Sequence, residues 1–200
     1  MAGVAINPIA VNGPWIEGYV LERHHTISSE FLGHDSFGRP QFDSKYSALG
    51  ELVYRLKNRE DKNTIDPIAD TAVQFIREQW KPEFDLIVPV PPSRRRQTYQ
   101  PVIEIANAIA SRMEKSMDPN AAVKIRETPE LKDVYDFAER QKLLQGAFKA
   151  NAEAVGGKAI LLIDDLYRSG ATAVVVAQSI ISGGATRVFM LAMTKTRTRR

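Results

Sequence analysis

The sequence predicts an α/β domain, a parallel sheet with helices on both faces. Three observations carry that prediction. The last third reads strand, turn, helix, strand. Residues 159–163 (AILLI) are all apolar, and Ala173, Val176, Ala177, Ile180 and Ile181 recur at helical spacing. Gly183-Gly184 ends that helix, and 187–193 (RVFMLAM) is apolar after its first residue. Such a run is a βαβ unit. Upstream, amphipathic stripes alternate with short apolar runs that lack in–out alternation, the pattern of strands covered on both faces. Finally, 200 residues with 44% hydrophobic content supply one buried core and match the size of one ordinary domain.

The elements follow in order. Residues 1–45 are rich in Gly, Ser, His and aromatic residues. Turn signals stand at Asn12-Gly13-Pro14, Gly33 and Gly38-Arg39-Pro40. Short strands and hairpins are expected there, for example over 15–23, forming a small N-terminal hood. From Tyr46 the pattern changes, and 46–193 reads as the main domain. Leu49, Leu52, Val53 and Leu56 make one helix, and Ile68, Ala72, Phe75 and Ile76 a second that starts after Pro67. Residues 84–90 (FDLIVPV) read as a buried strand stopped by prolines. Val102, Ile105, Ala106, Ile109, Ala110 and Met113 form the cleanest helical stripe. A weak strand is expected at 122–125, a loop at 128–137 and a short helix at 143–148. No repeat or low-complexity segment interrupts the chain.

Composition excludes several classes. The absence of cysteine removes disulfides, thiolate nucleophiles and cysteine-based metal sites. Apolar runs such as 188–193 are far too short for a membrane span of about 20 residues. The first 18 residues have no basic residue before their apolar stretch and are broken by Pro8 and Pro14, so they do not read as a signal peptide. The expected compartment is the cytoplasm, with no membrane partner. The net charge is +3, and the tail 194–200 holds Lys195, Arg197, Arg199 and Arg200; without those four the rest carries −1. The basic character is a property of the tail. It reads as a solvated end, and nucleic acid is not the favoured partner.

The chemistry is expected where the strand 159–163 ends in Asp164-Asp165. In an open parallel sheet, ligands sit at the carboxyl ends of the strands. Arg168-Ser169-Gly170-Ala171-Thr172 then leads into a helix. Gly170 permits close backbone approach. The helix N-terminal amides, with the Ser169 and Thr172 hydroxyls, would cradle a phosphate. A phosphate cradle beside two carboxylates suits a phosphorylated sugar whose hydroxyls bond to the acids. Magnesium held by Asp164 and Asp165, directly or through water, would fit as well. The plainer alternative is an acid capping a helix, but two adjacent acids followed by Ser-Gly-Ala-Thr inside a βαβ unit are much rarer. No GxGxxG or GxxxxGK[ST] occurs, which argues against the common nucleotide loops.

The segment ILLIDDLYRSGAT, residues 160–172, resembles the phosphoribosyl diphosphate (PRPP) motif of type I phosphoribosyltransferases. It departs once, with Arg168 where threonine is usual. Two further stretches resemble the ComF-like and amidophosphoribosyltransferase-like subgroup. They are LIVPVPPSRRRQTYQPVIEIANAIA at 86–110 and AERQKLLQGAF at 138–148, with Leu144 where asparagine is usual. The likeness covers roughly 45–195. The four-cysteine zinc module of many ComF proteins is absent here or replaced by residues 1–45. The resemblance implies transfer of ribose 5-phosphate from PRPP to a nitrogenous acceptor, with Mg2+ as cofactor and pyrophosphate released. By it, Asp164 and Asp165 are the catalytic acids and residues 168–172 bind the 5′-phosphate. Pro91, Pro92, Ser93 and Arg94 bind pyrophosphate, and Lys132 and Arg140 belong to a mobile loop that closes over PRPP. The alternative in another class is a non-catalytic PRPP or nucleotide sensor, or a DNA-uptake accessory, on the same fold. A homo-oligomer stays open.

Two weaker features complete the reading. His24, His25 and His34 lack metal-ligand spacing, so hairpin or surface histidines are the expectation. Trp15, Tyr19, Phe31, Phe37 and Phe42 would line a base-binding hood or form a small satellite core.

Overall fold

The computed structural model describes residues 3–92, 99–129, 134 and 136–196. A six-stranded sheet has the order β1-β2-β10-β9-β5-β6. Its strands are β1 (Ile9–Ala10), β2 (Glu17–Glu22), β5 (Leu86–Pro89), β6 (Ser116–Met117), β9 (Ala159–Tyr167) and β10 (Arg187–Lys195). All neighbours are parallel except the β1–β2 pair. Helices α1 (Ala48–Arg59), α2 (Ile65–Phe75) and α3 (Pro101–Met113) bury Leu49, Val53, Ile68, Ala72 and Ile105 on one face, against Leu161, Ile163 and Leu191. On the other face α6 (Ala171–Ser182) buries Val176, Ala177 and Ile180 against Ile160, Leu162 and Met190. Neighbouring residues of β9 thus feed two cores, which explains its unbroken apolar run. Each Val, Leu, Ile or Met side chain buried here is worth about 1.5–3 kcal/mol. The expected parallel sheet with helices on both faces is what the chain forms.

The connections place the functional edge. From β5 the chain crosses through α3 to β6, and from β9 it crosses through α6 to β10, in the opposite direction along the sheet. The two crossovers lie on opposite faces. Between β5 and β9 they leave a crevice at the carboxyl ends, the topological switch point at which open α/β sheets bind ligands.

Several expectations are corrected. Residues 1–45 do not form one appendage. β1 and β2 complete the main sheet, with β2 parallel to β10, and only β3 (Thr26–His34) and β4 (Pro40–Tyr46) stand apart as a hairpin. The sheet also runs past 193. Thr194 pairs with Glu22 and Leu166, and Lys195 with Tyr167, so the tail begins later than its charge suggests. The strand expected to stop at 163 continues through both aspartates to Tyr167, because β10 lies alongside to satisfy its backbone. The helix expected at 143–148 is instead α4 (Phe137–Leu144). It is capped where the Asp136 carboxylate accepts from Glu139 N at 2.8 Å. Phe148 belongs to β8 (Phe148–Ala150), paired antiparallel with β7 (Ala122–Lys124). α2 starts before Pro67, on a short 3-10 turn at Lys62–Thr64, and Ile181 faces solvent. No helix among the described residues is long and apolar enough to cross a membrane.

Candidate active site

A cleft of about 900 Å³ opens at the carboxyl edge between β5 and β9. Asp164 and Asp165 lie on the part of β9 that lines it, and Val90, Pro91 and Pro92 follow β5 on its other side. Val90 N donates to Ile163 O at 2.8 Å, tying the two strand ends together. The pyrophosphate candidates Pro91 and Pro92 therefore line the same cleft as the acids. Ser93, Arg94 and Lys132 lie outside the described residues.

The turn after β9 is built around Gly170. It caps α6 with φ +80°, the left-handed region that side chains avoid. A Cβ there would run into the Tyr167 ring and hydroxyl. Ser169, Gly170, Ala171 and Thr172 consequently present the α6 N-terminus to the cleft, where unpaired amides attract anions. Ala171 N donates weakly to Ser169 Oγ at 3.4 Å, and Ser169 Oγ also accepts from Arg140 Nη1 at 3.1 Å.

Arg140 lines the cleft from a helix, where a loop position was expected. It is buried on α4, with its guanidinium bonded to Val134 O and Ser169. Burial, followed by the positive charge of Arg168, holds its pKa below the ordinary arginine value. Arg168 itself is exposed on the turn. Two guanidinium groups that feel each other's charge favour an anion between them.

The two acids both line the cleft but sit in different surroundings. Burial, and next the Asp165 charge, push Asp164 up to about 7. Its carboxylate accepts from Asp165 N at 2.8 Å. Asp165 is buried and pairs with Lys57 Nζ of α1 at 2.8 Å. Next to this pair His25 is buried, with Nδ1 3.0 Å from Thr194 Oγ1, which in turn donates to Asp165 O at 3.4 Å. Burial, then the Lys57 charge, lower His25 to about 4, so it is neutral near pH 7.

Sequence reasoning missed Lys57 and Thr194, and His25, expected on a hairpin or at the surface, is buried. A signal for Lys57 existed. It continues the row Leu49, Val53 at i+4 spacing, so it sits at the end of the apolar face of α1 and turns toward the sheet. The histidines form no metal cluster among the described residues. Of the aromatic set, Trp15 is in the core and Tyr19 packs edge-on against Phe75 and Trp80. Phe31, Phe37 and Phe42 are exposed on the hairpin and do not line the cleft.

No protein-family model matches this chain, and no curated protein matches it either. Solved structures do. The glutamine phosphoribosylpyrophosphate (PRPP) amidotransferase of B. subtilis, complexed with ADP and GMP, is similar at 18% identity and TM-score 0.50. The match covers 76% of this chain and 34% of that one. A structure described as the allosteric regulatory enzyme of purine biosynthesis is similar at 18% identity and TM-score 0.49, over 76% and 33%. An adenine phosphoribosyltransferase from Thermoanaerobacter pseudethanolicus is similar at 14% identity and TM-score 0.45, over 84% and 95%. The chain spans about a third of the length of the first two. At 18% identity the likeness to the B. subtilis protein is one of fold alone.

Proposed function

We propose that this protein is a ComF-like phosphoribosyltransferase that moves ribose 5-phosphate from PRPP to a nitrogenous acceptor. One observation carries the reading. Two strand-end carboxylates and a glycine-turned helix N-terminus open onto one cleft at the switch point of the sheet. That pairing matches a ligand with hydroxyls at one end and a phosphate at the other.

In this reading the amides of residues 170–172 and the Ser169 and Thr172 hydroxyls hold the 5′-phosphate, with Arg168 and Arg140 supplying charge. That remote binding orients the ribose over Asp164 and Asp165, which accept from its hydroxyls. The C1–O bond breaks with its electron pair leaving on pyrophosphate. The nitrogen lone pair forms the C1–N bond, and the surplus proton on nitrogen passes to water. Positive charge grows at C1 during this exchange. Ionised acids beneath the ring stabilise that charge, and Asp164, held near 7, is drawn toward its ionised form by it.

The donor set also fits magnesium, since two adjacent carboxylates offer hard oxygen ligands to an ion that keeps most of its waters. Bound there by Asp164 and Asp165, it would offset the charge of the departing pyrophosphate.

Calorimetric titration of PRPP, with and without Mg2+, tests the proposal against Asp164→Asn/Asp165→Asn. Loss of two charge-assisted contacts should weaken binding by about a hundredfold or more. A folded wild-type protein that does not bind PRPP, or a double variant that binds it equally well, overturns the reading.

A further inference from the structure

We propose that Lys57 is a ligand-binding residue of this cleft, bridging Asp165 and the diphosphate of the bound sugar and competing with divalent cations for Asp165. The inference rests on the PRPP reading above and extends it to a residue on a distant helix.

The geometry is specific. Lys57 Nζ lies 2.8 Å from Asp165 Oδ1, and the Lys57 side chain is 27% exposed against 12% for Asp165. The ammonium therefore sits at the boundary between core and cleft, and both residues line the cleft wall. An ammonium carries three donors on a flexible stem. It can keep Asp165 and still donate to an oxygen arriving from the cleft. No surface pair of this kind would need such placement, because an exposed lysine gains little from holding one acid.

The charge balance gives Lys57 its second effect. Among the described residues that line the cleft, Lys57, Lys124, Arg140 and Arg168 face Glu127, Asp164 and Asp165. Arg140 is committed to Val134 O and Ser169 on the 5′-phosphate side. Among the described residues, Lys57 pairs directly with Asp165. It therefore weakens the pull of Asp165 on a metal ion, while adding to the pull of the cleft on a polyanion. The two effects have opposite signs. A lysine with a purely structural role would move both affinities in one direction or leave both alone.

The test titrates inorganic pyrophosphate, and separately Mg2+ alone, into the wild-type protein and into Lys57→Met and Lys57→Arg, with thermal melting as a folding control. Lys57→Met should weaken pyrophosphate binding by about tenfold and tighten Mg2+ binding by several-fold, the size expected for one charge-assisted contact. Lys57→Arg, which keeps the charge, should stay within about threefold of wild type for pyrophosphate. If Lys57→Met does not fold, Lys57→Gln, which keeps a donor near Asp165, takes its place with the same expectation. Unchanged affinities, or two affinities that fall together, overturn the assignment. PRPP binding by the wild type with unchanged pyrophosphate binding in Lys57→Met removes the Lys57 role and leaves the PRPP reading standing. Failure of the wild type to bind PRPP removes that reading, and the Mg2+ titration then decides whether Lys57 competes for Asp165.

Discussion

The ring and hydroxyl of Tyr167 occupy the space that a side chain on Gly170 would need. Tyr167 is the last residue of β9 and is buried, while Gly170 caps α6 at φ +80°. The strand end thus dictates a glycine three residues later, and that glycine aims the α6 amides at the cleft.

Gly170→Ala should therefore do more than fill space. The left-handed backbone costs an alanine about 1–2 kcal/mol, and the clash with a buried ring adds to this. Chemical denaturation is expected to show a loss of about 2 kcal/mol or more. Phosphate affinity should fall with it, because the turn must open to admit the methyl group. An unchanged denaturation midpoint would mean that the turn is not held as described.

Arg140 offers a second test. Its guanidinium reaches Ser169 Oγ and lies in the field of Arg168, so an anion bound there would be held by both charges. Inorganic phosphate should raise the melting temperature of the wild type, since ligand at a hundred times its Kd adds about 2.7 kcal/mol to stability. In Arg140→Met most of that rise should vanish, with affinity down by about tenfold for the lost charged contact. Equal phosphate-induced shifts in the two proteins would remove Arg140 from the anion site.

The acid limb of stability carries two opposed contributions. Asp164 holds its proton more tightly folded, at about 7, than its ordinary value of 3.8. The folded state therefore gains through it as pH falls from 7 toward 3.8. His25 holds its proton less tightly folded, at about 4 against 6.5. The folded state loses through it as pH falls from 6.5 toward 4. In the wild type the two act in opposite directions. Asp164→Asn leaves His25 unopposed, and its stability should drop by about 3 kcal/mol between pH 6.5 and 4, at about 1.4 kcal/mol per unit. Urea denaturation across that range reads the difference. A variant whose stability follows pH as the wild type's does would show that Asp164 is not perturbed as stated.

Much of the site was legible because its pieces are adjacent in the chain. Asp164, Asp165, Ser169, Gly170 and Thr172 lie within nine residues, and the apolar strand before them and the helical stripe after them have local periods. The helix at 137–144 starts earlier than its apolar pattern suggests because its signal is a cap, Asp136 over Glu139, while the apolar Leu143 and Phe148 belong to different elements. Strand ends differ for another reason. Asp164 and Thr194 look like loop residues by composition, but Asp164 pairs with Ala192 of β10, and Thr194 lies between β2 and β9; only pairing reveals that.

By itself, the sequence determined the βαβ core, the two-face burial of its strands, and the presence of two acids and a glycine turn at one strand end. These follow from periodicities of two to four residues and from the φ preferences of single residues. The tertiary structure alone decided that β2 closes the sheet beside β10 and that Arg140 turns inward to Ser169. It alone brought Lys57 to Asp165 across 108 positions of sequence and His25 to Thr194 across 169. Such meetings depend on which strands pair and which helix faces dock. The free energy of those choices lies in area buried between distant segments, and no local pattern in the chain records it.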